Sequence, residues 1–480
     1  MKTNHKFWLD KPFIANQTVS GKEKSAVHDK YSGDLLDEIE LAGAEEWEQA
    51  VIAAQNAFDK FKHSSSEFRA GILDAIRQGI SKHKNSFTEL ITREAGKPLE
   101  YAKSEVRRAL DNLTTGIRET LNFRGETVPM DYLNGKGKTA YTLRIPYGPV
   151  LGISPFNFPL NLALHKIIPA IGSGSPVLIK PAPQTPLSML AVAKIVKEAG
   201  IPAGIIQIVP TTDEIAESGV KDPRFGILSF TGSDRVGWYL KSISRQKKVF
   251  LEAGGNAAAV IDRGINLNRA AKKLAYGSFL YAGQICISTQ RIFVLRPVFE
   301  SFTEWFLKET RRIVSGNPMR EEVTNGPMIS PEALNKIDRW IQEAREQGAE
   351  VLTGGKILDF EHKIYAPTVL TRTDKTMKIM SEEAFAPVVN INPVDSWEEA
   401  VAAVNDSRYG LQAAYFTDSL SNALYAVKHT DAGGVIINDI PGFRIDGMPY
   451  GGMKKSGLGR EGARYALREY TQEKLVVIND

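Results

Sequence analysis

At 480 residues the chain is well above the roughly 250 to 300 at which a single hydrophobic core stops growing, so two or more domains are expected. Its 60 basic and 56 acidic residues leave a formal charge of +4, with no Lys/Arg block long enough for a nucleic-acid arm, which argues against nucleic acid as a partner. No apolar run approaches the roughly 20 residues of a membrane span, and residues 1–16 are too interrupted by charge for a secretory signal, so no membrane partner and a cytoplasmic location are expected.

The chain opens with helical periodicity. Trp47, Val51, Ala54, Phe58 and Phe61 recur at helix spacing, and Phe68, Ile72, Ile76 and Ile80 repeat every fourth residue. Gly96-Lys97-Pro98 reads as the stop of this helical region. Residues 123–144 end in the strand-like Tyr141-Thr142-Leu143-Arg144. From about residue 148, short apolar strands at 150–153, 177–179, 205–209, 226–230 and 249–251 alternate with helix-length segments such as 186–199 and 235–243. That is the pattern of a doubly wound, mainly parallel α/β sheet, which binds ligands beyond the carboxyl ends of its strands. Beyond Gly255 a second alternation predicts strands at 257–261, 291–295, 388–393 and 433–438, and the tail carries one more at 474–478.

Cys286 is the single cysteine, in Gly283-Gln284-Ile285-Cys286-Ile287-Ser288. One thiol forms neither an intramolecular disulfide nor a multi-cysteine metal site, which leaves buried filler or nucleophile, and no metal set is indicated. A free thiol is only roughly 3% thiolate at pH 7, so nucleophilic work requires a base or a positive field. Glu252 ends a predicted strand beside Gly254 and Gly255 and supplies a carboxylate for that purpose. Gly232 and Gly237 follow another strand and open a helix, a weak phosphate-binding signal by itself.

These segments, with Pro155-Phe156-Asn157-Phe158-Pro159, Lys180-Pro181-Ala182, Glu383-Ala384-Phe385 and Tyr450-Gly451-Gly452, resemble the aldehyde dehydrogenase superfamily in order and spacing over nearly the whole chain. The resemblance implies NAD(P)-dependent oxidation of an aldehyde to a carboxylic acid, without CoA. It implies Cys286 as nucleophile, Glu252 as base for the hydrolytic water, and Asn157 with the Cys286 amide as oxyanion donors. Lys166 and Glu461 match a pair near the acid/base path, whose other reading is a structural ion pair. NAD or NADP would be held by Ile153, Ser154, Pro155, Phe156, Lys180, Ala182, Pro183, Gly232, Ser233, Gly237, Gly254, Glu383 and Phe385. Pro183 stands where NAD-preferring members often carry Glu, which removes a barrier to NADP without adding an attraction.

The substrate tunnel is expected to include Phe156, Phe158, Asn161, His165, Ile285, Ile287, Arg444 and Tyr450, with Arg444 alternatively paired to Asp446. The segment 443–452 looks like that of lactaldehyde-type and non-phosphorylating glyceraldehyde-3-phosphate-type members, pointing to small hydroxylated or anionic aldehydes. The expected architecture is a Rossmann-like NAD(P)-binding domain (1–122 and 146–254), a second α/β catalytic domain (255–455), and a small β oligomerisation element (123–145 and 456–480) serving a homodimer or homotetramer. Three other readings stay open. One is a CoA-acylating relative; another is a cysteine hydrolase using His165; the third is a non-catalytic binding protein on the same fold.

Overall fold

Five parallel strands, Val150–Ile153, Val177–Lys180, Ile206–Ile208, Ile227–Gly232 and Lys248–Ala253, form the centre of the first sheet. Numbered along the chain, their spatial order is third, second, first, fourth, fifth. The order reverses between Val150–Ile153 and Ile227–Gly232, which opens a crevice beyond their carboxyl ends. Phe13–Ile14 and Gln17–Thr18 extend one edge antiparallel, and Gly457–Leu458 pairs antiparallel with Lys248–Ala253 at the other. The computed structural model describes residues 6–479. Residues 1–5, which begin the N-terminal segment read above as non-secretory, and Asp480 lie outside the described residues.

The early apolar stripes form the helices Ala44–Phe61 and Ser66–Lys82, which bury Trp47, Val51, Ala54, Ile72, Ile76 and Ile80. Gly96-Lys97-Pro98 is a joint and not the end of the helical region. The helix Lys84–Ala95 closes on Gly96 at φ 67°, and Pro98 caps the 23-residue helix Leu99–Leu121. A glycine that ends one helix and a proline that starts the next give the same local signal as a stop.

Helix Asn161–Ser173 is buried along its whole length, so its first amides need partners inside the protein. Leu160 and Asn161 donate to Glu105 Oε1 at 3.0 and 3.1 Å. Glu105 also pairs with buried Lys97, whose ammonium lies 3.5 Å from the centroid of the Phe158 ring. Glu94 does the same for helix Leu187–Glu198, accepting from the amides of Leu187 and Ser188 at 2.8 and 2.9 Å. Burial nevertheless pushes its carboxyl up to about 7.

The second sheet has seven strands in the order Glu350–Thr353, Thr368–Thr371, Val388–Val394, Thr289–Leu295, Ala257–Ile261, Gln412–Phe416, Gly434–Ile437, all parallel except the first. The four strands expected here are present. Gln412–Phe416, between two of them, was not expected, since Gln-Ala-Ala-Tyr-Phe has no β-branched residue. A third, three-stranded antiparallel sheet joins Thr127–Val128, Lys138–Pro146 and Thr471–Asn479. Of the segment 456–480, only this last strand belongs to it. Gly457–Leu458 extends the first sheet, and helix Ala463–Glu469 packs on Asn161–Ser173 and Leu99–Leu121.

Glu105 thus satisfies a buried helix end and a buried ammonium together. Removing one partner of a buried pair costs about 3–5 kcal/mol. Glu105→Ala is expected to lower the thermal unfolding midpoint by several degrees in differential scanning fluorimetry, and an unchanged midpoint would refute this role.

Candidate active site

The nucleophile candidate is presented by a strained turn. After helix Leu267–Phe279, the residues Tyr281, Ala282 and Gly283 adopt φ of 53°, 53° and 68°. Left-handed backbone costs about 1–2 kcal/mol for a residue with a side chain, so the surroundings must enforce it. Tyr281 is fully buried and donates from its hydroxyl to Ala95 O at 2.7 Å, and Gly283 lies so close to the carbonyl of Ala386 that no side chain fits. The buried Gln284 side chain then bridges Pro327 O (3.1 Å) and the Ile329 amide (2.8 Å). Cys286 follows in the loop before strand Thr289–Leu295.

Two cavities meet at this residue. A groove of about 450 Å³ crosses the reversal point of the first sheet, and a tunnel of about 200 Å³ lies on the other side; Cys286 lines both. The groove is lined by Ile153, Ser154, Pro155, Phe156, Lys180, Ala182, Pro183, Gly232, Ser233, Gly254, Glu383 and Phe385, as well as Asn157 and Glu252. Gly237 does not reach it. It lets helix Asp234–Ile243 pack on Phe230, whose ring would stand 3.2 Å from a Cβ there. Phe156 meets Phe385 edge-on at 5.8 Å in the groove and does not line the tunnel.

Phe158, Asn161, Ile285, Ile287, Arg444 and Tyr450 line the tunnel, joined by Arg108 and Tyr101 from helix Leu99–Leu121. His165 is drawn out of it: its Nε2 lies 2.8 Å from Asp446 Oδ1, which also takes Asn161 Nδ2 (3.1 Å) and Arg108 Nη2 (2.8 Å). Neither ring nitrogen is placed to serve Cys286, which removes the histidine that a cysteine hydrolase would require. Arg444 pairs chiefly with Glu461, at 2.9 Å, and stands 3.8 Å from Asp446. Arg108 and Tyr101 escaped the sequence reading because their helix follows the presumed stop. Asp446 joins the cluster only through space, with no local signal beyond its neighbour Arg444.

The electrostatics divide two carboxylates. Burial would raise Glu461, but His165, Arg444 and Lys166 outweigh it and hold the carboxyl below its ordinary range. Glu252 is pushed well above its ordinary value, first by burial and then by the charge of Glu461. Lys166 Nζ donates to Thr231 Oγ1 at 2.6 Å and stands 3.9 Å from Glu461; burial pulls its pKa down. Burial also pushes the Cys286 thiol up to about 12, against the opposing influences of Tyr450 and Arg444. The Tyr450 hydroxyl lies 2.9 Å from Sγ, and the Arg444 guanidinium stacks 3.6 Å from the Tyr450 ring centroid. Asn157 spends one N–H of its amide on Gln284 O (3.0 Å). Its second N–H and the Cys286 amide meet no acceptor among the described residues.

A thiol shared by a nucleotide-sized groove and a narrow tunnel is the layout of a dehydrogenase that works through a covalent intermediate. The chain belongs to the aldehyde dehydrogenase family, whose model matches residues 17–476. It is 38% identical to the 3-sulfolactaldehyde dehydrogenase of Priestia megaterium, covering 97% of both chains, and 35% identical to a lactaldehyde dehydrogenase of Methanococcus maripaludis, covering 96% of this chain and 98% of that one. Among solved structures it matches aldehyde dehydrogenase 21 from Physcomitrella patens in complex with the reaction product succinate, with a TM-score of 0.95, 35% identity and 98% of both chains covered. Related structures hold NADP (glyceraldehyde-3-phosphate dehydrogenase from Methanocaldococcus jannaschii, 32% identity, 95% and 99% covered, TM-score 0.90) or NAD+ (betaine aldehyde dehydrogenase from Staphylococcus aureus, 27% identity, 98% of both chains covered, TM-score 0.94). This protein is an aldehyde dehydrogenase.

Cys286 is the only thiol, so its reactivity is directly measurable. With the thiol raised, iodoacetamide alkylation of the cofactor-free protein is expected to be slow at pH 7 and to accelerate continuously to pH 10. If Tyr450 donates to the thiolate, Tyr450→Phe should slow alkylation about tenfold further. An equal or faster rate in the variant would contradict that direction of donation.

Proposed function

We propose that this enzyme oxidises short hydroxylated or anionic aldehydes to carboxylic acids by covalent catalysis on Cys286. The observation that carries this reading is the place of Cys286 in the wall of both cavities, with Asn157 and Glu252 beside it in the groove. The Cys286 thiolate adds to the carbonyl carbon and turns the carbonyl oxygen into an oxyanion. The free N–H of Asn157 and the Cys286 amide receive that charge, each donor being worth about 10² to 10³ in rate. A bound nicotinamide supplies the hydride acceptor. Loss of hydride from the adduct leaves the acyl group as a thioester on Cys286; Glu252, ionised, takes a proton from the water that attacks it, and the carbon–sulfur bond breaks to release the acid and restore the thiolate. Glu461, kept charged by Arg444, Lys166 and His165, raises the proton affinity of Glu252 and so strengthens it as a base.

The groove fits a dinucleotide. Helix Asp234–Ile243 opens toward it with Ser233 as cap, where amides and the helix dipole favour a pyrophosphate. Gly254 keeps the backbone bare against the Glu383 carboxyl, which accepts from the Gly255 amide at 2.8 Å and which burial pushes up to about 7. Glu383 would hold the nicotinamide ribose, Phe385 would pack beside the nicotinamide, and Lys180 would meet the adenosine ribose. Arg108 and Arg444 bring two guanidinium groups to a tunnel that, apart from the mutually paired Lys97 and Glu105, is largely aromatic and aliphatic, which favours a short substrate with an anionic or hydroxylated end. The sulfolactaldehyde and lactaldehyde dehydrogenase relatives support the same class.

The carboxylate of Glu252 favours hydrolysis over transfer of the acyl group to CoA. We further read the first sheet as the cofactor domain and the second as the catalytic domain. The three-stranded sheet would be the oligomerisation element of a homodimer or homotetramer in a reducing cytoplasm. Its outer strand Thr471–Asn479 is open on one side and exposes Leu475 (58%) and Val477 (46%).

The test is absorbance at 340 nm with NAD and NADP, with and without CoA, across lactaldehyde, succinate semialdehyde, benzaldehyde and hexanal. CoA-independent reduction is expected, at least tenfold more efficient for the first two aldehydes and absent in Cys286→Ala; strict CoA dependence or a preference for hexanal would sink the proposal. Because burial and Glu461 raise the proton affinity of Glu252, its basic form is gained only above the ordinary carboxylate range, so steady-state turnover should climb as the pH is raised above that range. Glu252→Gln should keep a burst of one equivalent of reduced cofactor while turnover falls by about 10² to 10³. Placing Lys at both 475 and 477 should shift the mass found by light scattering to a smaller species, and an unchanged mass would exonerate this edge.

A further inference from the structure

In a doubly wound sheet, an acidic side chain after the second strand commonly receives the 2′-hydroxyl of a bound ribose. Here the second strand of the reversal point ends at Lys180, and Pro181-Ala182-Pro183 follows with no carboxylate. The structure brings one in from the next connection. Asp213, the first residue of helix Asp213–Lys221, lines the groove, and its Oδ1 accepts from Lys180 Nζ at 2.6 Å. The Lys180 side chain is 5% exposed and that of Asp213 85%, so the ammonium lies beneath the carboxylate. The other charged residues lining the groove belong to its opposite end. Glu252, Arg444 and Glu461 surround the Cys286 region, and Lys336 donates to the carbonyl of Glu383.

We infer that Asp213 sets the choice of cofactor, favouring NAD over NADP. This rests on the groove being the NAD(P) site with the adenosine ribose at the Lys180 end. An NAD ribose offers hydroxyls that a carboxylate accepts. A 2′-phosphate brings nearly two negative charges to a carboxylate that repels it, and finds the nearby ammonium already neutralised. Asp213 also covers the positive end of its own helix, the other feature here that could welcome a phosphate. The carboxylate missing at Pro183 is thereby replaced through space, and Pro183 alone does not make the site permissive.

The experiment compares the wild type, Asp213→Asn and Glu214→Gln, the last removing a neighbouring exposed carboxylate that does not line the groove. Kd for NADH and NADPH, by nucleotide fluorescence, and kcat/KM for NAD and NADP with one aldehyde are measured at low ionic strength, where surface charges are least screened. The wild type should favour NAD at least tenfold. Asp213→Asn should move that ratio toward NADP by about tenfold or more, equivalent to about 1.4 kcal/mol, through Kd and KM with kcat little changed. Glu214→Gln should leave the ratio in place. A wild type that favours NADP, or an Asp213→Asn ratio that does not move, overturns the inference. Failure of the wild type to bind either nucleotide would instead overturn the reading of the groove itself.

Discussion

Two carboxylates, Glu252 and Glu461, line one narrow cavity, and of the two only Glu461 is held in close ion pairs. Glu461 has Arg444, Lys166 and His165 around it, while Glu252 has no ion-pair partner among the described residues. A charge withdrawn from water must be paired or give up its ionisation, so burial without a close partner raises Glu252 while the ion pairs of Glu461 hold it down. Much of the surrounding arrangement follows from serving Glu461. Arg444 is buried to reach it, its guanidinium then lies flat on Tyr450, and the Tyr450 hydroxyl is left against the thiol. The state of the Cys286 thiol is therefore linked to a carboxylate that it does not touch.

The scaffold around this cluster solves a second burial problem by a similar means. Helices Asn161–Ser173 and Leu187–Glu198 start in the interior, and Glu105 and Glu94, from two other helices, take up their first amides. Each contact fixes a helix end and ties one helix to another that packs on the first sheet. Because Lys97 and Glu105 also line the tunnel, part of its wall is built from the pair that anchors helix Asn161–Ser173. Substitutions there should therefore be felt in stability as well as in substrate choice.

Much of this was legible in the sequence wherever a signal was local. Parallel strands buried on both faces read as short apolar runs, and 150–153, 177–179 and 249–251 fall within observed strands. The motif glycines and Cys286 marked strand ends and turns, and all but one of the proposed cofactor residues line the groove. The misses have physical causes. Strand Gln412–Phe416 owes its conformation to two flanking strands and not to its own residues. At Gly96-Lys97-Pro98 a joint between two helices and a stop share one local chemistry. His165 was assigned to the tunnel by position along the chain, but Asp446, 281 residues away, turns it aside. Asp213 meets Lys180 across 33 residues, a partnership that no periodicity encodes.

The pairing of Lys248–Ala253 with Gly457–Leu458 has a consequence for how the protein is made. The strand that carries Glu252 has one neighbour, Ile227–Gly232, soon after synthesis, but its other neighbour lies some 200 residues further on, after all seven strands of the second sheet. Until the ribosome has delivered that stretch, the first sheet has an open edge at the strand that carries Glu252, with unpaired backbone N–H and C=O groups available to another nascent chain. The first sheet to begin emerging is thus completed at this edge only after every strand of the second sheet has been synthesised.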